Sequence, residues 1–303
     1  MNAAFFYGPN DIKFEELQLD FEKKLVDDYQ ILRVLSCSVC SYDVRTFRNG
    51  SFKVKTPVIL GHEICAQTIN DYNGPNFSVK SNTRVSVYPI IPCFNCWYCN
   101  HARYNLCQNL LEIGSTINGG FAEFIKIPNK VFEIGGIVPV LGNVTNEEAS
   151  LIEPLACCIN GINQVKSMLF DSVIIIGDGP IGLMQLILLK KYFSEVKVTI
   201  IGKIKHRLEK AKKLGADKVI LFENPENNFE RFKSLKYKEG KISPNLIMVS
   251  NNSLSSLPLA FYLANKNSNI VIFSGMKNPS PQSSNLSVDI DPNLIHYNQI
   301  SIF

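Results

Sequence analysis

The distribution of apolar residues along the chain changes in character near residue 147. Before it, short β-type runs such as 29–35 and 83–88 alternate with turn clusters rich in glycine, proline and asparagine. After it, apolar strands alternate with longer helical stretches, and this alternation implies a parallel sheet. We predict a β-rich domain over 1–146 and a doubly wound α/β domain over 147–303. Its strands are expected at 172–176, 196–201, 218–221, 246–249 and 270–273, and its helices from about 181 and through 208–214.

Two segments near the C-terminus are irregular in this pattern. Residues 277–285, rich in serine and proline, are expected to form a surface loop. Residues 298–303 are β-type in composition and end without a solvating tail, so we predict a last strand there and expect the chain to be cut short.

Size and composition agree with a two-domain globular protein. The chain has 303 residues, 46% of them hydrophobic and 19% charged. The longest apolar run, 181–189, is far shorter than the roughly 20 residues that cross a bilayer, and the N-terminus lacks the basic and apolar regions of a secretion signal. A net charge of +4 is too small to predict a nucleic-acid surface. We therefore expect a small-molecule partner, with no nucleic acid and no membrane.

The cysteine count points to metal rather than to disulfides. Nine cysteines, an odd number in a chain without a signal, favour metal binding in a reducing compartment, and we expect a cytoplasmic protein. Thiolates two residues apart can share one tetrahedral Zn²⁺, and four of them fill a structural site. Such a spacing occurs within fifteen positions, at Cys93, Cys96, Cys99 and Cys107. The alternative is that these four are incidental buried thiols or disulfides.

Three separate segments carry a second set of metal-binding side chains. Cys40, the pair His62 and Glu63, and Glu153 would together form an incomplete shell with room for water or substrate, as a catalytic zinc requires. The alternative is that Cys37 and Cys40 form a CxxC pair with its own metal or redox role.

A glycine-rich turn follows the predicted strand 172–176. Gly177 permits a tight turn, Gly179 lets the backbone approach a pyrophosphate, and Gly182 allows close helix packing. The turn continues through Pro180 and Ile181 into a helix whose N-terminus favours negative charge. This context predicts a dinucleotide site, although a glycine-rich turn without a ligand is the alternative.

The end of the second α/β strand bears on the choice of cofactor. NAD-specific domains place an acidic residue there, whereas this sequence has Gly202 followed by Lys203. With Arg207, and with Lys205 and His206, these positions would accommodate a 2′-phosphate, so NADP(H) is favoured over NAD(H). The alternative is that the basic side chains are the solvated face of the following helix.

Together these segments resemble the zinc-containing medium-chain dehydrogenase/reductase family, in particular its sorbitol (L-iditol) dehydrogenase-like branch, over essentially the whole chain. The family's Cys-Gly-(Ser/Thr)-Asp box is similar to Cys40-Ser41-Tyr42-Asp43, and its Gly-His-Glu and Glu-Pro-Leu boxes are found at residues 61–63 and 153–155. Its four-cysteine lobe and its GGFAEF-type segment, here 119–124, are also present. The resemblance implies a GroES-like catalytic domain joined to a Rossmann domain, with a C-terminal return of the catalytic domain that is truncated here.

The resemblance also implies roles for individual residues. Cys40, His62 and either Glu63 or Glu153 would hold the catalytic zinc, which makes two zinc ions per chain with the structural site. The family's hydroxyl proton relay falls at Tyr42, whose phenol both donates and accepts. The implied activity is hydride transfer between a polyol or secondary alcohol and NADP(H) or NAD(H), in a homodimer or homotetramer.

Two other functions are kept open. A sugar- or polyol-phosphate reductase of the same family would need basic residues near the substrate, and Arg45 and Arg48 are the candidates. A zinc-stabilised protein that keeps the fold without turnover is the other, because Tyr42 departs from the family's relay residue and relatives continue beyond Phe303.

Overall fold

The chain divides into two compact units, Met1–Pro154 and Leu155–Phe303. The computed structural model describes residues 1–18, 29–168, 170, 172–222, 232, 235, 246–276 and 287–303. The loop expected at 277–285 lies outside the described residues. Among the helices of the described part, none is long and apolar enough to cross a membrane.

Within the part of the first unit that the structure describes, the main sheet has five strands in the order β11-β3-β5-β8-β12, and each of these pairs is antiparallel. Its strands are β1 (Asn2–Gly8), β2 (Asp11–Glu16), β3 (Tyr29–Ser38), β4 (Val58–Ile59), β5 (Glu63–Thr68), β6 (Tyr72–Asn73), β7 (Ser78–Val79), β8 (Arg84–Val87), β9 (Ile90–Ile91), β10 (Leu111–Glu112), β11 (Phe124–Pro128) and β12 (Ile137–Pro139). Its helices are short: α1 (Ser41–Asn49), α2 (Trp97–Asn100), α3 (Asn129–Glu133) and α4 (Asn146–Ser150), with a 3₁₀ turn at Tyr104–Leu106.

The core of the first unit lies on one face of this sheet. Leu32, Ile64, Val85 and Ile125 come from four different strands and are each at most 3% exposed. Phe132 of α3 packs into the same cluster. Burial of these aliphatic and aromatic side chains is what holds the short strands together, since each strand alone is too short to be stable.

Among the described residues, the second unit contains a six-stranded sheet with the order β15-β14-β13-β16-β17-β18, and each of these pairs is parallel. Its strands are β13 (Ser172–Ile176), β14 (Lys197–Gly202), β15 (Lys218–Leu221), β16 (Leu246–Val249), β17 (Asn269–Ile272) and β18 (Ser301–Ile302). The described helices that accompany them are α5 (Ile152–Asn163, which begins in the first unit), α6 (Pro180–Tyr192), α7 (Lys205–Lys213), α8 (Ser256–Leu263) and α9 (Pro292–Asn298). The predicted parallel α/β sheet is confirmed.

Alternate residues of the central strand face two different cores. Val173 and Ile175 of β13 belong to one hydrophobic cluster, and Ile174 and Ile176 belong to another. A strand buried on both faces needs an uninterrupted apolar sequence, which is what β13 has. Both faces of the sheet are therefore covered, as in a doubly wound fold.

Two features differ from the boundaries expected from the sequence. Residues 147–154 belong to the first unit, where α4 packs on β3 and the hydroxyls of Ser38 and Ser150 lie 2.5 Å apart. The segment expected to be a strand over 298–303 starts as the end of α9, turns at Gln299 with φ +51°, and pairs with β17 only over Ser301–Ile302. The left-handed turn separates the helix from the strand.

Candidate active site

Cys40 is positioned by the start of α1. It is the N-cap residue of that helix, and its Sγ accepts a hydrogen bond from the Tyr42 backbone N–H at 3.5 Å. Asp43 completes the cap, because its Oδ2 accepts from the Cys40 backbone N–H at 3.0 Å. A cysteine in this position has its sulfur fixed at the positive end of the helix.

The same Asp43 faces His62. Its Oδ1 lies 3.5 Å from His62 Nδ1, and the carboxylate is only 3% exposed. Burial lowers the pKa of His62, but the neighbouring Asp43 carboxylate and Cys40 side chain outweigh it and raise that pKa to about 11. With Nδ1 directed at a carboxylate, Nε2 is the nitrogen left for a metal, a common arrangement around metal-binding histidines. No role for Asp43 was predicted from the sequence, although its place three residues after Cys40 is the signal of a capping box.

Cys40, His62 and Glu63 form one cluster of side chains that could hold a metal ion, which we call the ligand cluster. Their Sγ, ring nitrogen and carboxylate oxygen all lie within 4.8 Å of one another. Burial raises the pKa of Glu63, and the nearby Glu153 carboxylate raises it further, while His62 opposes the shift. The Glu63 and Glu153 carboxylates therefore repel each other unless a cation lies near them.

Glu153 lies in the pocket that opens beside this cluster. His62 and Tyr42 line the same pocket, and the other lining residues are Lys53, Pro89, Ile90, Glu112, Ile113, Ser115 and Glu153 itself. Of the predicted residues, His62, Glu153 and Tyr42 therefore line this pocket, and Cys40 and Glu63 adjoin it through their approach to His62.

The Tyr42 hydroxyl has a polar partner. Its oxygen lies 2.9 Å from Ser51 Oγ, and the Tyr42 and His62 rings meet edge to face with centroids 6.2 Å apart. Tyr42 and Ser51 are both partly exposed. Two adjacent hydroxyls, each able to donate and accept, can pass a proton along.

The basic residue of the pocket is not one that the sequence suggested. Lys53 lines it, with Nζ 3.9 Å from Glu112 Oε1, whereas Arg45 and Arg48 do not. The Arg45 guanidinium lies 5.5 Å from the Tyr42 ring centroid, and Arg48 is exposed at the end of α1. Lys53 has no motif around it, so only the folded chain reveals it.

Cys37 lies outside the ligand cluster found among the described residues. Its Sγ packs against the glycine-rich segment at Gly61 and Gly120, where an added methyl group would come within 2.9 Å of the sulfur. Burial raises the pKa of Cys37 far above that of a free thiol. These surroundings are those of a packed core cysteine rather than of a CxxC metal or redox pair.

The four-cysteine lobe brings its sulfurs together. Sγ–Sγ distances are 3.5 Å for Cys96–Cys99 and 4.0 Å for both Cys93–Cys99 and Cys96–Cys107. Tetrahedral zinc with Zn–S bonds of about 2.3 Å places its sulfurs roughly 3.8 Å apart, so the spacing matches. Backbone N–H groups of Gln108 and Cys99 lower the pKa of Cys96 to about 6, which favours the thiolate that zinc binds.

The remaining histidine and cysteines of these segments have other surroundings. His101 is exposed, stacks on Trp97 and has its Nδ1 2.7 Å from the Trp97 carbonyl oxygen. Cys65 and Cys158 are buried thiols. Cys157, the neighbour of Cys158 on α5, is exposed.

The glycine-rich turn of the second unit is shaped for close backbone approach. Gly177 has φ +139°, and a methyl group on it would lie 2.8 Å from the Ser250 carbonyl oxygen. One on Gly182 would lie 2.1 Å from the Gly177 carbonyl oxygen. At Gly179, the N-cap of α6, the space is open. This is a cradle that fits a pyrophosphate at a helix N-terminus, with Pro180 and Ile181 in its first turn.

The end of β14 does hold a carboxylate, contrary to the expectation from the sequence. Asp178, from the glycine-rich turn, accepts hydrogen bonds at its Oδ2 from the backbone N–H groups of Lys203 and Ile204, at 2.9 and 2.7 Å. A methyl group on Gly202 would lie 2.4 Å from Asp178 Cβ. The space that Gly202 leaves is therefore occupied by Asp178, which the residue types at the end of β14 could not reveal.

Comparisons with known proteins agree with this architecture. Residues 27–135 match the family model of the alcohol dehydrogenase GroES-like domain. The chain is 36% identical over 197 residues to D-arabitol-phosphate dehydrogenase of Enterococcus avium, which covers 64% of this chain and 54% of that protein. It is 31% identical over 225 residues to sorbitol dehydrogenase of Bacillus subtilis, which covers 73% of this chain and 61% of that one. These matches span less than two thirds of either relative.

A solved structure extends the likeness to the whole chain. An alcohol dehydrogenase of Escherichia coli CFT073, complexed with NADH, superposes with a TM-score of 0.83 at 27% identity and covers 100% of this chain and 82% of that one. Residues 27–135 thus form an alcohol dehydrogenase GroES-like domain, and the chain as a whole is similar to zinc-containing medium-chain dehydrogenases/reductases. Its relatives include sorbitol dehydrogenases, as the resemblance implied.

Proposed function

We propose that this protein is a zinc-dependent oxidoreductase that transfers a hydride between a polyol or secondary alcohol and a nicotinamide dinucleotide. The observation that carries the proposal is the cluster of Cys40, His62 and Glu63 beside a pocket that Tyr42 and Glu153 also line. One thiol, one imidazole and one carboxylate are the donor types of catalytic zinc sites, and three protein ligands leave a position for substrate.

The residues at both metal sites fit zinc. At the catalytic site Cys40 and His62 would be ligands together with one carboxylate, and the repulsion between Glu63 and Glu153 supports a cation at that place. At the structural site the tetrahedral sulfur spacing of the lobe supports a second ion. We propose two zinc ions per chain.

The residues of the first unit would orient and deprotonate the substrate. When bound, zinc polarises the substrate oxygen and the nicotinamide exchanges a hydride with the substrate carbon. Asp43 holds the His62 ring with Nδ1 toward the carboxylate. The Tyr42 hydroxyl accepts the proton released from the alcohol as it gives its own to the Ser51 hydroxyl, 2.9 Å away, and the partly exposed Ser51 in turn releases one proton to solvent. In the direction of ketone reduction the same pair returns the proton.

A second substrate class is favoured by one observation. The Lys53 ammonium lines the pocket, although Glu112 lies 3.9 Å from it, and a cation there suits a phosphorylated polyol. The relative from Enterococcus avium is named for such a substrate. We therefore propose a polyol-phosphate reductase or dehydrogenase as the second candidate, with Lys53 in the place expected from the sequence for Arg45 and Arg48.

We propose a homodimer or homotetramer, as the family resemblance implies, and a cytoplasmic location, which suits exposed and metal-binding thiols. The Rossmann-type unit would bind the dinucleotide through the turn at 177–182. We expected a preference for NADP(H) from Gly202, Lys203 and Arg207 because the sequence has no acidic residue at the end of β14. The Asp178 carboxylate lies at that end, so this reason for the preference no longer holds.

The proposed activity is tested by metal analysis together with turnover. The protein should contain two zinc ions per chain, and it should oxidise sorbitol, arabitol or arabitol phosphate with the appearance of reduced nicotinamide absorbance at 340 nm. Cys40→Ser and His62→Ala should abolish turnover and remove one zinc. The matched controls Cys157→Ser and His296→Ala, at exposed positions, should retain turnover and two zinc ions per chain.

Two results would count against this proposal. Full activity in Cys40→Ser and His62→Ala would show that the cluster is not the reaction centre. Two zinc ions and cofactor binding, with no turnover of polyols, their phosphates or ketones, would favour the zinc-stabilised protein without catalysis.

A further inference from the structure

Asp178 occupies an unusual position for an acidic residue in a dinucleotide-binding unit. It lies between Gly177 and Gly179, in the turn that would meet the pyrophosphate, and not at the end of the second strand. Yet its side chain reaches that end, since its Oδ2 accepts the N–H groups of Lys203 and Ile204. The residue as a whole is 8% exposed.

Gly202 and Asp178 fit together sterically. A methyl group on Gly202 would lie 2.4 to 2.5 Å from Cβ, Cγ and Oδ2 of Asp178, which no real contact tolerates. The absence of a side chain at 202 therefore makes room for the carboxylate and not for a cofactor phosphate. The two backbone N–H groups after Gly202 would otherwise be free to bind an anion, but they already donate to the Asp178 carboxylate.

In doubly wound domains the adenosine ribose lies over the carboxyl end of the second strand, which is β14 here. A fixed carboxylate at that place can accept hydrogen bonds from ribose hydroxyls, and it repels a 2′-phosphate. The basic side chains that favoured NADP(H) are both accessible to solvent. Lys203 is exposed with its Nζ 5.5 Å from the Phe222 ring centroid, and Arg207 is partly exposed on α7.

We infer that Asp178, delivered from the glycine-rich turn to the end of β14, is the residue that selects NAD(H) over NADP(H) in this protein. The inference rests on the proposed dinucleotide binding of this unit. Asp178 acts by charge at the 2′ position of the adenosine ribose, in the role that an acidic residue on the second strand itself usually has.

The test measures binding and does not depend on turnover. Dissociation constants of the zinc-loaded protein are measured by calorimetry for NADH and NADPH, and for the fragments AMP and adenosine 2′,5′-bisphosphate, which isolate the ribose contact. The wild-type protein should bind each 2′-phosphorylated ligand at least about tenfold more weakly than its partner, which corresponds to about 1.4 kcal/mol. Higher ionic strength should narrow the difference, because the repulsion is screened.

The variant Asp178→Asn keeps the size of the side chain and an acceptor oxygen but removes the charge. It should reduce the ratio of the NADPH to the NADH dissociation constant by about tenfold, with little change in the dissociation constant of NADH. Asp217→Asn is the matched control. Asp217 also accepts a hydrogen bond from a backbone N–H, that of Val198, but near the opposite end of β14. This variant should therefore have the same ratio of NADPH to NADH dissociation constants as the wild-type protein.

Equal or tighter binding of NADPH by the wild-type protein would overturn the inference, and this comparison needs no variant to fold. An unchanged ratio in a folded Asp178→Asn protein would overturn it as well. Preference for NADPH leaves the proposed dehydrogenase function intact, whereas failure to bind either dinucleotide would overturn both.

Discussion

Asp217 gives a prediction in which stability depends on pH. Its carboxylate lies 2.5 Å from Lys190 Nζ and 3.2 Å from Lys197 Nζ, and it accepts the Val198 backbone N–H at 2.8 Å. Burial opposes its ionisation, but these three contacts outweigh burial and lower its pKa from 3.8 to about 2. Substitution by asparagine should therefore destabilise the second unit at neutral pH.

The size of the expected destabilisation follows from how far the pKa of Asp217 is lowered in the folded protein. Each pKa unit corresponds to about 1.4 kcal/mol, so the charged Asp217 contributes about 2 kcal/mol to the free energy of unfolding at pH 7. This is an upper limit, since 29% of its side-chain surface is exposed to solvent. Because the pKa is lower in the folded state, the contribution is complete above the unfolded value near 4 and is lost as the pH falls through about 2. At pH 3 about half of it should remain.

The assay is urea unfolding of the wild-type protein and Asp217→Asn at pH 7 and at pH 3, followed by circular dichroism. The difference in unfolding free energy between the two proteins should be about 2 kcal/mol at pH 7 and about 1 kcal/mol at pH 3. A difference that is the same at both pH values would refute the electrostatic reasoning, since a purely steric loss does not titrate.

Three further predictions concern the first unit. Tyr42→Phe should lower kcat by about 10²-fold with unchanged zinc content, because it removes the hydroxyl and keeps the ring. Ser51→Ala should lower kcat by a smaller factor. A wild-type kcat in Tyr42→Phe would exclude the proton route through Tyr42. Cys96→Ser should reduce zinc by one ion per chain and lower the unfolding temperature, and two retained ions would show that the lobe does not bind zinc. Lys53→Met should raise KM for a phosphorylated polyol by about tenfold and leave KM for the free polyol unchanged. Equal changes in both KM values would contradict the proposal of a phosphorylated substrate.

Several elements could be predicted because their signals are local. The strand Ser172–Ile176 is a pure apolar run followed by a glycine turn, and both its bounds and its burial on two faces follow from that pattern. The strand at 218–221 was likewise placed at its observed bounds. Metal-type side chains with short spacing, as in the cysteine lobe, also indicate a site from the sequence alone, because the spacing itself limits the geometry.

The contacts that the sequence did not reveal join residues far apart in the chain. Lys53 reaches the pocket without any motif, and the Asp178 carboxylate meets the backbone of Lys203 across 25 positions. An NAD-specific domain was expected to carry its acidic residue at the end of β14, where the sequence has Gly202. Which side chain fills the space above a glycine depends on the packing of two loops, and one sequence without its fold does not determine that.

The mutual fit of Gly202 and Asp178 makes these two positions a single unit of variation. An acidic side chain introduced at 202 alone would collide with the carboxylate already there, and a smaller residue at 178 alone would leave two backbone donors without their acceptor. The effects of substituting the two positions should therefore not add. Any redesign of the nucleotide choice, or any natural drift toward the arrangement with an acidic second strand, has to exchange both residues together.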